Sequence, residues 1–303
     1  MRIKNCSILI TGAMGQDGKI LSKILLKHNY RVHGWIKNKK YSNKFNNIKY
    51  STVNLLNKKD ILCKIKKIKP EVVVHFGSSN PSYDQKKKLE KFNKINTQST
   101  INLIDSIVES NINCTFIFSN SSQIFLNKFL KKKVDENDSV SSNDSYTKFR
   151  IKVLNYLEYL KEIKNFKYIN LILFNHDSIL RHKKFLIPRL VNAFKKKDFK
   201  FIEYIFTKNI MGDFSHAEDI CYAIGLLIKK KIETNNLILS SGKITKINNV
   251  IRYLCKITNL NISDKLKIKK NPKFIIGNNL KAKRLLQWKP KKNIYDVIDE
   301  YFN

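Results

Sequence analysis

Residues 7–18 read Ser-Ile-Leu-Ile-Thr-Gly-Ala-Met-Gly-Gln-Asp-Gly, and they give the clearest indication of the fold. A short apolar run, Ile8 to Thr11, leads straight into a G-x-x-G-x-x-G loop, and an amphipathic stretch from Gln16 to His28 follows. Glycines at this spacing let a loop turn tightly between a strand and a helix, where backbone N–H groups can meet a pyrophosphate. The order strand, loop, helix therefore predicts a dinucleotide-binding site.

The same alternation of apolar runs and amphipathic stretches continues to residue 174. The predicted strands are Arg31–Ile36, Val72–Phe76, Thr115–Ser119 and Tyr168–Phe174, and the predicted helices are Asp60–Ile68, Asn96–Glu109 and one from about Ser145. This rhythm is typical of a parallel sheet with helices on both faces. We predict an α/β fold with a doubly wound parallel sheet of the Rossmann type in residues 1–174.

The pattern changes at residue 175. Residues 175–303 show mixed periodicity, with one apolar run at Leu237–Leu239 that suggests a strand returning to the sheet. We expect this part of the chain to form mainly a smaller C-terminal substrate-binding lobe.

Composition is that of a globular protein of 303 residues, 42% of them hydrophobic. No apolar run reaches the roughly 18 residues that span a bilayer, and the first residues lack the apolar region of a signal peptide. We therefore expect a cytoplasmic protein without a membrane partner. Five scattered cysteines, with no C-x-x-C pair, favour neither a disulfide framework nor a metal site.

The formal net charge of +35 raises the question of a nucleic-acid partner. Only seven of the 59 basic residues are arginine, and the lysines are spread along the whole chain. This distribution indicates compositional drift, and no recognisable nucleic-acid-binding module accompanies it. We expect no nucleic-acid partner, whereas a small substrate that carries phosphate groups fits the charge.

The second predicted strand bears on the choice of dinucleotide. NAD sites place an acidic residue about 20 positions after the glycine loop, but there is no carboxylate between Asp17 and Asp60. The strand ends at Ile36 and opens into Lys37-Asn-Lys-Lys40, whose cations suit a ribose 2′-phosphate. The sequence therefore favours NADP over NAD, with Lys37 as a candidate contact.

Motifs along nearly the whole chain are similar to those of one family. They are T-G-A-M-G-Q-D-G at 11–18, V-H-G at 32–34, L-F-N-H-D-S at 173–178, D-F-S-H-A-E-D at 213–219, K-A-K at 281–283 and W-K-P at 288–290. In these motifs the chain resembles the GDP-mannose 4,6-dehydratases, which are extended short-chain dehydrogenase/reductases. The resemblance implies a homo-oligomeric enzyme that acts on a nucleotide-diphosphate sugar similar to GDP-mannose.

The resemblance also implies which residues form the binding sites. The implied cofactor contacts are Gly12, Ala13, Met14, Gly15, Gln16, Asp17, Gly18, Asn54, Leu55, Phe76, Gly77, Ser78, Arg150, His176 and Arg181. The implied substrate contacts are Ser79, Asn80, Asn175 and Arg189.

Tyr146-Thr-Lys-Phe-Arg150 stands where the family has Y-x-x-x-K, early in a predicted helix, so that residues four apart share one face. In the family the basic residue holds the nicotinamide ribose and lowers the pKa of the phenol, which takes a proton from a sugar hydroxyl. Arg150 keeps the charge of the family lysine, but a guanidinium cannot relay a proton.

Ser119-Asn-Ser-Ser-Gln123 resembles the S-T-S-E motif of the family. By position, Ser121 is the hydroxyl that binds the reacting oxygen, and Gln123 replaces the glutamate that removes the C5 proton. A neutral amide cannot take and give a proton. We therefore expect dehydration across C5 and C6 to be slow or absent unless another acid takes part.

Three readings remain open. The first is a dehydratase-family enzyme with hydride transfer at C4 and an impaired dehydration step. The second is an NADPH-dependent 4-keto sugar reductase or epimerase, which needs Tyr146 and Ser121 but no carboxylate at position 123. The third is a non-catalytic NADP-binding protein, because Gly212 and Asn271 also stand where the family has arginines that meet the nucleotide.

Overall fold

The computed structural model describes residues 6–38, 47–78, 89–125, 132–142, 144–263, 266–270 and 272–303. Its strands are β1 (Ser7–Thr11), β2 (Arg31–Ile36), β3 (Lys49–Thr52), β4 (Val72–His75), β5 (Thr115–Ser121), β6 (Lys132–Val134), β7 (Tyr168–Leu173), β8 (Asn175–Asp177), β9 (Met211–Gly212), β10 (Phe214–His216), β11 (Asn236–Leu239), β12 (Thr245–Lys246) and β13 (Ile275–Gly277). Its helices are α1 (Gln16–Lys27), α2 (Lys58–Ile68), α3 (Leu89–Glu109), α4 (Ser145–Lys164), α5 (Leu186–Lys195), α6 (Phe199–Lys208), α7 (Ala217–Lys229), α8 (Ile247–Thr258), α9 (Leu280–Leu286) and α10 (Ile294–Phe302). Among these described helices, none combines the length and the apolarity needed to cross a membrane.

Within the described residues, seven strands form one sheet in the order β11-β7-β5-β4-β1-β2-β3. All neighbours in this sheet run parallel. The predicted α/β fold with a doubly wound parallel sheet is confirmed. The chain order reverses at β1, which has β2 on one side and β4 on the other. In such sheets ligands bind beyond the carboxyl ends of the strands at this reversal.

Alternate residues of β1 face two different helix layers, because successive side chains of a strand point to opposite faces. Ile8 and Ile10 belong to an apolar cluster with residues of α1 and α7. Leu9 belongs to a second cluster with residues of α2, α3 and α4. Burial on both faces explains why the three central residues of β1, Ile8 to Ile10, are all apolar.

A third apolar cluster joins α5, α6, α8 and α10, which all belong to the later part of the chain. Two short strand pairs accompany it: β8 pairs with β10 in parallel, and β9 pairs with β12 antiparallel. β11 lies elsewhere, at the edge of the large sheet beside β7. Another short parallel pair is formed by β6 and β13.

Sequence periodicity did not predict β3. Its residues, Lys49-Tyr-Ser-Thr52, are exposed or half-buried, so no apolar run marks the strand. It exists because its backbone pairs with β2 at the edge of the sheet. Helix α3 also begins earlier than expected, at Leu89 instead of Asn96.

Candidate active site

The glycine loop at the end of β1 requires glycine at two positions. Gly12 has φ +67°, and a Cβ there would lie 2.8 Å from the main-chain carbonyl carbon of Phe76. A Cβ on Gly18 would lie 2.5 Å from the carbonyl oxygen of Gly12. Gly15 immediately precedes α1 and has no side chain to cap the helix. The first N–H groups of α1, which have no acceptor within the helix, are therefore suited to an anion.

Two side chains of this loop lie against the core. Ala13 is fully buried, and its N–H donates to the carbonyl of Trp35 at 3.3 Å. Met14 is half-buried and packs against the same apolar cluster as α1. Because these two side chains pack against the core, the loop is left with its backbone to meet a ligand. The N–H of Ala13 fixes that backbone to β2.

Asp17 and His176, both predicted to contact the cofactor, contact each other. His176 Nε2 lies 3.1 Å from Asp17 Oδ1, and Nδ1 lies 2.7 Å from the carbonyl oxygen of Phe174. Both neighbours accept hydrogen bonds, so the imidazole is best satisfied when it carries both protons. Burial disfavours charge on either group, but the ion pair outweighs burial, raising the pKa of His176 and lowering that of Asp17 to about 2.

Gln16 connects this ion pair to the segment after β8. Its amide nitrogen donates to Asp17 Oδ1 at 2.9 Å and to the carbonyl of His176 at 3.2 Å. Its amide oxygen accepts from the hydroxyl of Ser178 at 3.0 Å. The start of α1 and β8 are thereby held together by buried polar contacts.

Arg181 lies beside this network and remains partly exposed. Its Nε lies 3.5 Å from Asp177 Oδ1, and its guanidinium lies 3.8 Å from the ring centre of Phe185. Burial raises the pKa of Asp177, while the charges of Arg181 and His176 oppose that rise. The guanidinium is thus held in place by an acid and a ring.

The segment after β4 is fixed by a chain of hydroxyl and imidazole groups. Gly77 N–H donates to Thr11 Oγ1 at 3.0 Å, and Thr11 Oγ1 lies 2.7 Å from His75 Nδ1. His75 Nε2 lies 3.0 Å from Thr100 Oγ1. Burial and then the charge of Arg150 lower the pKa of His75 to about 3, so the ring is neutral. Sequence reasoning missed this group, since an apolar strand that ends in histidine gives no sign of its partners.

Phe76, Gly77 and Ser78 are half-buried at the end of β4. The main chain of Phe76 lies close to Gly12, since a Cβ on Gly12 would lie 2.8 Å from the carbonyl carbon of Phe76. The predicted substrate contacts Ser79 and Asn80 fall outside the described residues, as do Lys39, Lys40 and Asn271.

The turn after β3 holds two further predicted contacts. Asn54 Oδ1 accepts from the N–H of Leu56 at 3.1 Å, which shapes the turn. Asn102, on α3, donates to the carbonyl oxygens of Leu55 and Leu56, each at 3.2 Å. Lys37, immediately after β2, is exposed.

Tyr146 and Arg150, which stand where the family has Y-x-x-x-K, lie at the start of α4. Asp144 caps this helix through a capping box with Thr147, which sets the first turn. Arg150 is 5% exposed, and its guanidinium lies 4.8 Å from the ring centre of Tyr146. Its Nη1 donates to the carbonyl oxygen of Ser119, near the end of β5. Arg150 therefore joins α4 to β5 and lies over the tyrosine ring.

Ser121 ends β5 and Gln123 lies in the short 3₁₀ helix that follows, Ser122–Phe125. The N–H of Gln123 donates to Ser121 Oγ at 3.3 Å, so the hydroxyl accepts one bond and keeps its own proton to donate. The Gln123 side chain is exposed.

The predicted substrate contacts of the later part of the chain lie on separate elements. Asn175, on β8, is exposed and donates from Nδ2 to the carbonyl oxygen of Asp213 at 3.3 Å. Arg189, on α5, is half-buried with its guanidinium 4.3 Å from the ring centre of Phe201.

Asp213 is fully buried between the later strands and the edge of the sheet. Its carboxylate accepts from Ser241 Oγ at 2.6 Å and from the N–H groups of Ser241, Gly242 and Gly277 at 2.8, 2.9 and 3.2 Å. The sequence motif included Asp213, but its bonding partners could not be read from the sequence, because they lie 28 to 64 residues away.

With this geometry established, comparison with known proteins identifies the family. The sequence model described as GDP-mannose 4,6 dehydratase matches residues 9–301. The chain belongs to the GDP-mannose 4,6-dehydratase family. This confirms the resemblance that the motifs indicated, and with it the prediction of an enzyme of the nucleotide-sugar dehydratase and epimerase kind.

The individual relatives of this chain have low sequence identity to it, but their alignments cover most of its length. The GDP-mannose 4,6 dehydratase of Drosophila melanogaster is 22% identical over 96% of this chain and 84% of that protein. The GDP-6-deoxy-D-talose 4-dehydrogenase of Aggregatibacter actinomycetemcomitans is 26% identical over 88% of this chain and 84% of that protein.

Among solved structures, the dTDP-glucose 4,6-dehydratase of Streptomyces venezuelae with NAD and TYD bound is similar, with a TM-score of 0.82. The superposition covers 98% of this chain and 97% of the Streptomyces chain, at 14% sequence identity. A likeness at this identity shows the shared fold.

Proposed function

We propose that this protein uses NADP to transfer hydride at C4 of a nucleotide-diphosphate sugar similar to GDP-mannose. The observation that carries the proposal is the group formed by Tyr146, Arg150 and the end of β5 at Ser121. Arg150 binds the carbonyl of Ser119 and lies over the ring of Tyr146. Helix α4, which carries Tyr146, is thus joined to β5, which carries Ser121, at the carboxyl end of the sheet. Ligands of this fold bind beyond the carboxyl ends of the strands.

The residues around the glycine loop fit a dinucleotide. The positions of Gly12 and Gly18 leave no room for a side chain, and Gly15 leaves the start of α1 uncapped. We assign the pyrophosphate to this loop, the adenosine side to Asn54 and Leu55, and a ribose 2′-phosphate to Lys37. Bound NADP would supply the hydride acceptor. The Asp17–His176 pair and Gln16 hold the start of α1 in place, and Arg181 is the nearby cation for a phosphate.

Tyr146 is the group that removes the proton from the C4 hydroxyl in this proposal. Ser121 donates a hydrogen bond to the same oxygen, since its hydroxyl proton is not used by Gln123. Arg150 stabilises the phenolate through its charge, which lies over the ring of Tyr146. Arg189 and Asn175 are assigned to the nucleotide diphosphate and the sugar.

Gln123 decides how far the reaction proceeds. Loss of water across C5 and C6 requires a group that takes a proton from C5, and an amide cannot do this. We propose that oxidation and reduction at C4 are retained, while dehydration is slow. The same residue favours the second candidate function, a 4-keto nucleotide-sugar reductase or epimerase. The Aggregatibacter relative, named as a 4-dehydrogenase of a GDP-linked deoxy sugar, is consistent with that candidate.

The test is to incubate the protein, loaded with NADP, with GDP-mannose and to follow a 4-keto-6-deoxy product by mass spectrometry. Wild type, Gln123→Glu and Tyr146→Phe are compared. We expect little product from wild type and more from Gln123→Glu, whereas Tyr146→Phe should form none. Full dehydration by wild type would show that another acid replaces position 123.

The second candidate is tested with NADPH and a 4-keto nucleotide sugar. Reduction by wild type, lost in Tyr146→Phe, would assign the reductase activity. Tight NADP binding without turnover on any of these substrates would contradict both enzymatic candidates and leave the non-catalytic reading.

A further inference from the structure

Three asparagines on neighbouring strands form a row of side-chain amides across the sheet. They are Asn120 on β5, Asn170 on β7 and Asn236 on β11, and we call them the asparagine row. Asn120 donates to Asn170 Oδ1 at 2.9 Å, and Asn170 donates to Asn236 Oδ1 at 2.8 Å. Asn120 and Asn170 are 2% and 1% exposed.

The row lies among apolar residues of the same strands. On β5 the residues two and four positions before Asn120 are the buried Phe118 and Phe116, and Ile172 and Ile238 follow on β7 and β11. Buried amides cost free energy unless they are satisfied, and apolar side chains would fill these positions more simply. We therefore look for a role of these amides besides filling space in the core.

The hydrogen bonds of the row fix which way each amide faces. Because Asn170 uses its nitrogen on Asn236, its oxygen must accept from Asn120. The nitrogen of Asn120 is then committed, so its oxygen faces the opposite way. That oxygen accepts from the backbone N–H of Ser121 at 2.8 Å. Amides linked head to tail in this way also polarise and strengthen one another.

The row thus ends at the residue assigned to the reacting oxygen. Asn120 Oδ1 fixes the N–H of Ser121, and the next turn donates the N–H of Gln123 to Ser121 Oγ. Both contacts hold the main chain at the point where β5 stops. Neither contact uses the proton of the Ser121 hydroxyl, which is left to donate.

We propose that the asparagine row is a positioning device for Ser121, which acts through the backbone at the end of β5 and does not touch the substrate. This inference rests on the role proposed above for Ser121. A displacement of a catalytic hydroxyl by about 1 Å is enough to slow a reaction markedly.

The test compares Asn120→Ala and Asn170→Ala with Asn279→Ala. Asn279 is a matched control, because it is 1% exposed and also donates from Nδ2, to the carbonyl of Ser240 at 2.9 Å, but lies outside the row. Three quantities are measured: thermal stability, hydrogen exchange of the Ser121 amide, and the single-turnover rate of hydride transfer from GDP-mannose to bound NADP.

We expect both row variants to lose protection of the Ser121 amide and to transfer hydride about tenfold more slowly, the rate equivalent of one neutral hydrogen bond. Their affinity for GDP-mannose should not change. Asn279→Ala should lose comparable stability but keep both the protection and the rate.

Unchanged exchange at Ser121 in Asn170→Ala would overturn the proposal, because the row would then not reach the serine. Lost protection with an unchanged rate would overturn it as well, since the row would be structural only. If wild type transfers no hydride, the proposed function fails. The exchange at Ser121 then decides by itself whether the row holds this residue.

Discussion

At position 150 the guanidinium lies over the face of the Tyr146 ring, 4.8 Å from its centre, and one nitrogen is committed to Ser119. Either arginine or lysine can carry a positive charge at this place, but only lysine can relay a proton. We predict that Arg150→Lys keeps hydride transfer within about tenfold, while Arg150→Met loses about a hundredfold.

The measurement is the single-turnover rate of hydride transfer in the three proteins at one pH. Arg150→Met should be slow because it loses both the cation over the ring of Tyr146 and the hydrogen bond to the carbonyl of Ser119. A methionine variant with the wild-type rate would remove Arg150 from the mechanism.

The ion pair of the half-buried Asp17 and the buried His176 should make stability depend on pH in a defined window. The pKa of Asp17 is lowered to about 2, so its contribution is present above its unfolded value and is lost as the pH falls towards 2. The pKa of His176 is raised, so its contribution is complete below its unfolded value and is lost as the pH rises through the folded value. The pair therefore contributes most between about pH 4 and about pH 6.5.

We predict that His176→Gln lowers the free energy of unfolding by about 3 kcal/mol in that window and by less at alkaline pH. Chemical denaturation of both proteins across the pH range gives the difference directly. Adding Asp17→Asn to the histidine variant should recover part of the loss, because no buried charge is then left without a partner. A constant difference at all pH values would show that the imidazole is neutral in the folded protein.

Among the helices and strands, those with an apolar pattern within their own sequence could be predicted. The run Ile8–Ile10 is apolar because both faces of β1 are buried, and the glycines that follow are needed for local backbone reasons. β3 was not predictable, since its polar residues become a strand only by pairing with β2. The same limit applies within the site. Asp17 and His176 were both recognised, but a bond between residues 159 positions apart cannot be read from the sequence.

Asp213 offers a test of how the later strands are joined to the sheet. Its two oxygens accept from Ser241, Gly242 and Gly277, so an amide at this position would turn an N–H₂ group towards an N–H donor. We predict that Asp213→Asn destabilises the protein by about 2 kcal/mol. Denaturant unfolding measures the loss, and hydrogen exchange at Gly242 and Gly277 should rise. Unchanged exchange at both glycines would mean that other contacts hold this junction.

On the scale of the whole molecule, the net charge of +35 attracts any anion, and it attracts NADP more than NAD because NADP carries one more phosphate group. The proposed preference for NADP therefore has a general part and a local part, and we assign the local part to Lys37 at the end of β2. Two charge reversals separate the local from the global effect. Lys37→Glu and Lys164→Glu each replace one positive by one negative charge, so both take the net charge from +35 to +33.

Lys164 is exposed at the end of α4, and it serves as the control for an equal change in the overall field. We predict that Lys37→Glu weakens NADP relative to NAD by about tenfold, as for the loss of one charge-assisted hydrogen bond. Lys164→Glu should leave the ratio of the two dissociation constants unchanged. Titrations at low and high salt complete the test, since raised salt should weaken both cofactors through the general field. If both variants shift the ratio equally, the preference comes from the field of the whole molecule and Lys37 is not a contact.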